Sequence, residues 1–389
     1  MFKKDRDYPY YRLSIFYLFF FTALGVFVPY WSLYLQYLQF SAAEIGEIMA
    51  LAMASKIIAP YLWGWLADHS GRRIAIIRIT AFLSSFFFAG IFIRNDYYWI
   101  ALIVTCFGFF WNACLPLFEG LTLNHLGDHV TEYSHIRIWG SVGFIIATIT
   151  LPLIFEIYGY AIIPAILLTC LLLMSLATFI ISDRSYPIKS PSQKNIWQIA
   201  HQPMVMAFLV VCTLQVASHG AYYTFLSIYL IDHGYSAIVT GWMWALGVIA
   251  EIILFIVMHR ILRCYNAGLL LALALLGTAL RWVLLAYFVN YLVILLFVQI
   301  LHAISFGLFH AAAIHLVHEL FPRHLQGRGQ ALYAGLCFGI GGVAGNLLSG
   351  YGWDSVGAIT TFLVSGAVAL LGSLIAWIFI ARSETILLH

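Results

Sequence analysis

Twelve stretches of about twenty apolar residues, separated by short polar breaks, leave this chain few ways to fold. A helix needs that length to cross the ~30 Å hydrocarbon core of a bilayer, where backbone polar groups must bond to one another. The first six stretches run near 12–36, 44–66, 74–93, 97–120, 137–156 and 160–181. The second six run near 204–230, 238–258, 266–288, 291–318, 328–350 and 356–381. Composition agrees: 63% of the 389 residues are hydrophobic and only 9% are charged, against about 25% charged in soluble domains. That excludes a soluble enzyme, a secreted disulfide scaffold and a disordered hub. A net charge of +3 built from so few residues gives no reason to expect nucleic acid as a partner. The six cysteines form no C-x-x-C pair and read as buried thiols.

The longest polar stretch, rich in Ser, Pro and Lys, divides the chain into halves of six spans. The expected organisation is therefore an all-α membrane protein with a half at 1–182, a central loop at 183–203 and a second half at 204–389. Lys3, Lys4, Arg6 and Arg12 precede the first apolar run, which is too long for a signal peptide and lacks a small-residue cleavage site. With the N-terminus in the cytoplasm, sixteen of the nineteen Lys and Arg fall on the cytoplasmic side. Of the rest, Arg94 lies outside, and Lys56 and Arg281 lie within spans. Both termini are expected inside, in the inner (plasma) membrane.

The loop after the second span reads Gly64-Trp65-Leu66-Ala67-Asp68-His69-Ser70-Gly71-Arg72-Arg73. A glycine can admit a close helix, Asp68 can pair across an interface, and Gly71 can turn the chain before the basic Arg72 and Arg73. This run resembles the major facilitator superfamily signature, and the resemblance implies two pseudo-symmetric six-helix halves that bind solute near the bilayer midplane. Gly64, Asp68, Gly71, Arg72 and Arg73 would then form a cytoplasmic gate.

Ionisable residues at depth are costly and point to function. Lys56 lies twelve residues before Asp68, about 18 Å along the helix axis. Glu251 lies near the middle of the eighth span, and Arg281 and His302 lie well inside the ninth and tenth. The fifth-span run Arg137-Ile138-Trp139-Gly140-Ser141-Val142-Gly143-Phe144 is similar to a segment of the lactose-permease-like proton symporters. That resemblance implies that Glu119 pairs with Arg137 at the substrate and that Phe144 stacks on it. The chain also resembles the phenylpropionate-permease branch, in Gly25 to Ser32, Ala221-Tyr222-Tyr223, Leu246 to Glu251, Arg281-Trp282 and Val298 to His302. It implies that Glu251, Arg281 and His302 couple transport to protons, although Ser305 stands where an acid is expected three residues after His302.

Each residue has a structural alternative. Glu251 and Arg281 could be an interhelical pair, His302 could bond a neighbouring helix, and Glu119 with Arg137 could be a gate. His315 and His318 share a helix face, but no second ligand pair completes a metal site, so no metal is expected. The glycines of the eleventh span serve packing or a hinge equally well.

For substrate, Lys56 is the sharpest clue. A midplane ammonium suits a carboxylate better than a neutral sugar, with Arg137 as second clamp and Tyr30, Trp31 and Phe144 flanking a ring. The expectation is a monomeric, proton-coupled transporter of a small, aromatic organic acid, with no cofactor beyond the proton. Its partners would be the solute, protons and the lipid bilayer. Oligosaccharide or nucleoside symport is the alternative. A transporter-like receptor and an intramembrane enzyme are readings of other classes, the latter without H-E-x-x-H or G-x-S-x-G.

Overall fold

The structure, a computed structural model, describes residues 8–183, 196–322 and 324–382. Among them every regular element is helical. Lys3, Lys4, Arg6, Arg184, Lys189, Lys194 and Arg323, which contribute to the charge asymmetry, lie outside the described residues. Ten helical segments are long and apolar enough to cross a membrane. Two of these, Tyr97–Tyr158 and Gln326–Ala381, run to 62 and 56 residues. Each contains a break, at His129 and at Gly357 (φ +81°) respectively. The expected twelve spans require each of these segments to count as two.

The chain divides into two compact units, one of residues 1–39 and 58–190, the other of 40–57 and 191–389. The first contains α1 (Tyr10–Tyr37), the later part of α2 (Ala42–Ser70), α3 (Arg73–Ala89), α4 (Tyr97–Leu126), α5 (Tyr133–Tyr158) and α6 (Ile163–Ala177). Here α1 packs on α5 and α6, and α3 packs on α4 and α6. Small residues set the α1–α5 contact, because association in lipid depends on close packing rather than on hydrophobic burial. A Cβ at Gly25 would lie 2.9 Å from the Ala147 Cβ, and one at Gly143 would lie 2.8 Å from Thr22 Oγ1 and against the Leu18 carbonyl. Aromatic rings fill the interior, with Phe16 stacked on Phe118 and with Phe27, Phe107 and Trp111 in mutual contact. Arg78 ties the end of the sixth span to α3 by donating to the Thr178 and Ile181 carbonyls.

The second unit contains α7 (Ile196–Ala200), α8 (Pro203–Ser218), α9 (Gly220–Asp232), α10 (Ala237–Cys264), α11 (Ala267–Phe288), α12 (Leu292–Ile300), α13 (Phe309–Leu320), α14 (Gln326–Tyr333) and α15 (Gly342–Ala376). Ser236 and Asn266 cap α10 and α11 through their side-chain oxygens, as such residues do at helix N-termini. The expected seventh span is interrupted at His219. The tenth and eleventh carry wide π-helical turns at Ala303–Leu308 and Ala334–Gly341. The first part of α2 packs here against α15. Gly46 meets Gly350, Asp354 accepts from the Ala42 and Ala43 N–H groups, and Tyr351 donates to Glu47.

The α1–α5 contact has no room to grow. Gly143→Ala is expected to lower stability by about 1–3 kcal/mol, the usual cost of overpacking, and thermal unfolding of the purified protein checks this.

Candidate functional site

In the first unit the signature loop folds around an ion pair. Arg73 Nη2 lies 2.7 Å from Asp68 Oδ1, and Gly71 makes the turn between them with φ +64°, a conformation that side chains disfavour. Gly64 does not supply the close approach expected of it, because a Cβ there would meet no atom within 4 Å. The close approach belongs instead to Gly120 on α4, where a Cβ would lie 2.7 Å from Arg73 Nη1. Arg72 is exposed beside the turn, its N–H donating to Ser70 Oγ.

Deeper in this unit, Arg137 and Glu119 come together. Arg137 Nε is 3.8 Å from Glu119 Oε1, and both side chains are about one-third exposed. Tyr133, one turn before Arg137, donates to the same carboxylate oxygen at 3.2 Å. The guanidinium lies over the Phe21 ring, 3.9 Å from its centroid, within the range of a cation–π contact. The Arg137 side chain also lies against Gly140, where a Cβ would come within 2.8 Å of Nη1. Tyr133, Phe21 and Gly140 are thus part of the arginine's seat, although sequence reasoning gave the first two no role.

The aromatic candidates lie elsewhere. Tyr30 is fully buried, with its hydroxyl donating to the Thr148 carbonyl at 2.6 Å. Trp31 is equally enclosed among Phe27, Tyr34 and Phe88. Phe144 is 8% exposed, with its backbone pressed against Gly25. All three belong to the interior of this unit in the conformation described.

Lys56 lies on the first part of α2, in the second unit, and is partly buried. Among the described residues it makes no ion pair, since every acidic group within 4 Å of a base belongs to another pair.

The second unit's polar centre is Arg281, which is wholly enclosed. Its Nε donates to the Val298 carbonyl at 2.9 Å, Nη1 to His302 Nδ1 and to Ser305 Oγ at 3.0 Å each, and Nη2 to Gln299 Oε1 at 3.3 Å. The Tyr222 and Trp282 rings cover the guanidinium at 4.1 and 4.8 Å. An arginine can only donate, so His302 Nδ1 accepts and the neutral imidazole carries its proton on Nε2. That nitrogen faces Glu251 Oε2 at 3.9 Å. Glu251 and Arg281 therefore meet through His302 rather than as a direct pair. Ser305 supplies a hydroxyl to the arginine, and the carboxylate comes from α10. The wide turn after His302 helps, because a π-helical turn shifts backbone groups out of the regular ladder. Carbonyls on either side of His302, that of Val298 in α12 and that of Ser305 within the turn, accept from side chains.

The elements agree with a known lineage. Residues 10–364 match the MFS_1 like family. The chain belongs to that family. It is 28% identical over 333 residues to the probable 3-phenylpropionic acid transporter of Escherichia coli (strain K12), covering 84% of this chain and 86% of that one. It is 26% identical over 387 residues to the maltose permease of Geobacillus stearothermophilus, covering 95% and 94%. A crystal structure of a mutant of the nucleoside transporter NupG superposes with a TM-score of 0.86 over 95% of this chain and 99% of that chain. At 17% identity that likeness shows the fold. The resemblance read from Gly64 to Arg73 and from the span motifs is borne out. The protein is a multi-pass membrane transporter of the major facilitator type, and its relatives and fold are those of transporters, not enzymes.

Arg281 holds four acceptors with a planar fork that lysine cannot reproduce. Arg281→Lys offers three donors to these four acceptors and is expected to leave at least one of them unpaired, at about 1–3 kcal/mol, read as a lowered thermal midpoint.

Proposed function

We propose that this transporter carries a small organic acid, with an aromatic ring, together with protons across the inner membrane by alternating access. Lys56 carries the substrate half of this reading. An ammonium within an apolar span requires water, a protein carboxylate or an anionic ligand. No carboxylate pairs with Lys56 among the described residues, which favours a solute that brings its own. The relative named for 3-phenylpropionic acid points to the same chemistry.

The proton half rests on Glu251, His302 and Arg281. A proton taken up at His302 Nδ1 would remove the lone pair that Arg281 uses and force the arginine to find a new partner, while the resulting imidazolium would face the Glu251 carboxylate through Nε2. The network can therefore convert protonation into movement of charged side chains. Asp68 and Arg73 form the proposed cytoplasmic gate, with their short ion pair across the Gly71 turn. A maltose permease among the relatives keeps oligosaccharide as the second reading, but a neutral sugar leaves Lys56 without a role.

Two substitutions test the halves separately. Lys56→Gln should weaken binding of phenylpropionate by about 10- to 150-fold, the loss of a charge-assisted hydrogen bond, and spare its neutral amide. Equal loss for acid and amide, measured by titration of the purified protein, would remove the carboxylate from Lys56. Glu251→Gln should abolish uphill accumulation in energised vesicles yet retain counterflow exchange, which needs no net proton movement. Normal accumulation by that variant would exclude Glu251 from coupling.

A further inference from the structure

The seventh span is broken where α8 ends at Ser218 and α9 begins at Gly220. Gly220 lets the break press onto the backbone of Gly345 in α15. His219, between the two helices, is 3% exposed. Its Nδ1 lies 2.9 Å from the Gln215 carbonyl, which can only accept, so Nδ1 carries the proton and Nε2 presents a lone pair.

The same elimination defines its neighbours. Gln215 Nε2 donates to Thr278 Oγ1 at 2.8 Å and to the Ser305 carbonyl at 2.6 Å, leaving Oε1 as a further acceptor. Gln299 Oε1 accepts from Tyr222 and from Arg281, so its Nε2 faces away with two hydrogens to give. Trp282 Nε1 can only donate. His219 Nε2, Gln215 Oε1, Gln299 Nε2 and Trp282 Nε1 are all buried without a hydrogen-bond partner among the described residues. The side chains that bear them adjoin one another. His219 meets Trp282 edge-on at 5.0 Å, Trp282 lies 5.3 Å from Tyr222, and the Tyr222 hydroxyl holds Gln299.

Two acceptors and two donors decide what such a cluster can take. An anion would satisfy the donors and repel the acceptor lone pairs, and a cation would do the reverse. An O–H group satisfies both kinds. Buried polar atoms are costly to leave unmatched, so four of them together indicate an occupant. We propose that the break at His219 is a hydroxyl-binding subsite, in which His219 Nε2 accepts from an O–H group and Trp282 Nε1 and Gln299 Nε2 donate to its oxygen. The O–H belongs to the transported solute or to a resident water. In the first case the subsite deepens the organic-acid reading, on which it then rests, by selecting hydroxyl-bearing acids.

The test compares 3-phenylpropionate with its 3-hydroxyphenyl and 4-hydroxyphenyl counterparts on the purified full-length protein. It uses wild type, His219→Phe and Trp282→Phe, with thermal midpoints to confirm folding; Trp282→Phe carries the test alone if His219→Phe does not fold. A solute hydroxyl predicts that wild type prefers one phenol by about 5- to 150-fold and that the variants lose the preference. A resident water predicts no preference and, in an experimental map, an ordered oxygen within hydrogen-bond distance of His219 Nε2. Absence of both, or a preference that survives both substitutions, overturns the subsite. Failure of the organic-acid reading shows differently, as no binding of any of the three acids, and the map then decides alone.

Discussion

A guanidinium enclosed within a membrane span is the constraint on which the second unit depends. Arg281 has no surface in contact with solvent, cannot be neutralised and can only donate, so the helices around it must present acceptors. They do so with two kinds of group. Val298 offers a backbone carbonyl from α12, and Gln299, His302 and Ser305 offer side chains from the same span. The ring faces of Tyr222 and Trp282 close the remaining sides. Much else follows from that seat. The tautomer of His302 is determined, its other nitrogen is turned to Glu251, and Gln299 is held with its amide nitrogen outward. A serine three residues after His302 becomes intelligible, since an acid there would pair with the arginine directly.

The first unit handles its charges by a different route. Arg137 remains partly exposed and rests on Phe21, with Glu119 and Tyr133 to one side. Its helix lies close to α1 through Gly140 and Gly143, so the arginine's position is tied to a contact with little slack. The Asp68–Arg73 pair sits at the end of the same unit, with Arg73 laid over Gly120 of α4. A loop motif and a helix that also bears Glu119 are therefore mechanically joined.

Hydropathy and the loop motif were enough to read the fold class, because lipid leaves helices as the only economical solution for apolar runs of this length. Local irregularities were not legible. Residues 204–230 read as one span, and Pro203–Asp232 is one membrane-crossing segment, yet its helix is interrupted at His219, beside the contact of Gly220 with Gly345, 125 positions away. The π-helical turn after His302 has no proline or polar cluster to announce it. Ionisable residues stand out against the apolar background, so Glu119, Arg137, Glu251, Arg281 and His302 are legible as candidates, but the expected partner of Glu251 was Arg281 and the carboxylate lies beside His302 instead. Aromatic residues could not be sorted in that way. Tyr30, Trp31 and Phe144 lie in spans where rings serve core and ligand alike, and here they are core. Gly64 shows the converse limit: a glycine in a matching motif position need not be at a close contact.

The central claim is that protons move with an organic acid. Proteoliposomes holding the purified protein and a lumenal pH dye, with no imposed pH or voltage gradient, test it directly. Addition of external phenylpropionate should acidify the lumen in step with uptake, and the neutral amide, which carries no acid proton, should not. Uptake of the acid with no change in lumenal pH, under conditions where passive permeation of the protonated acid is subtracted with protein-free vesicles, would contradict proton coupling.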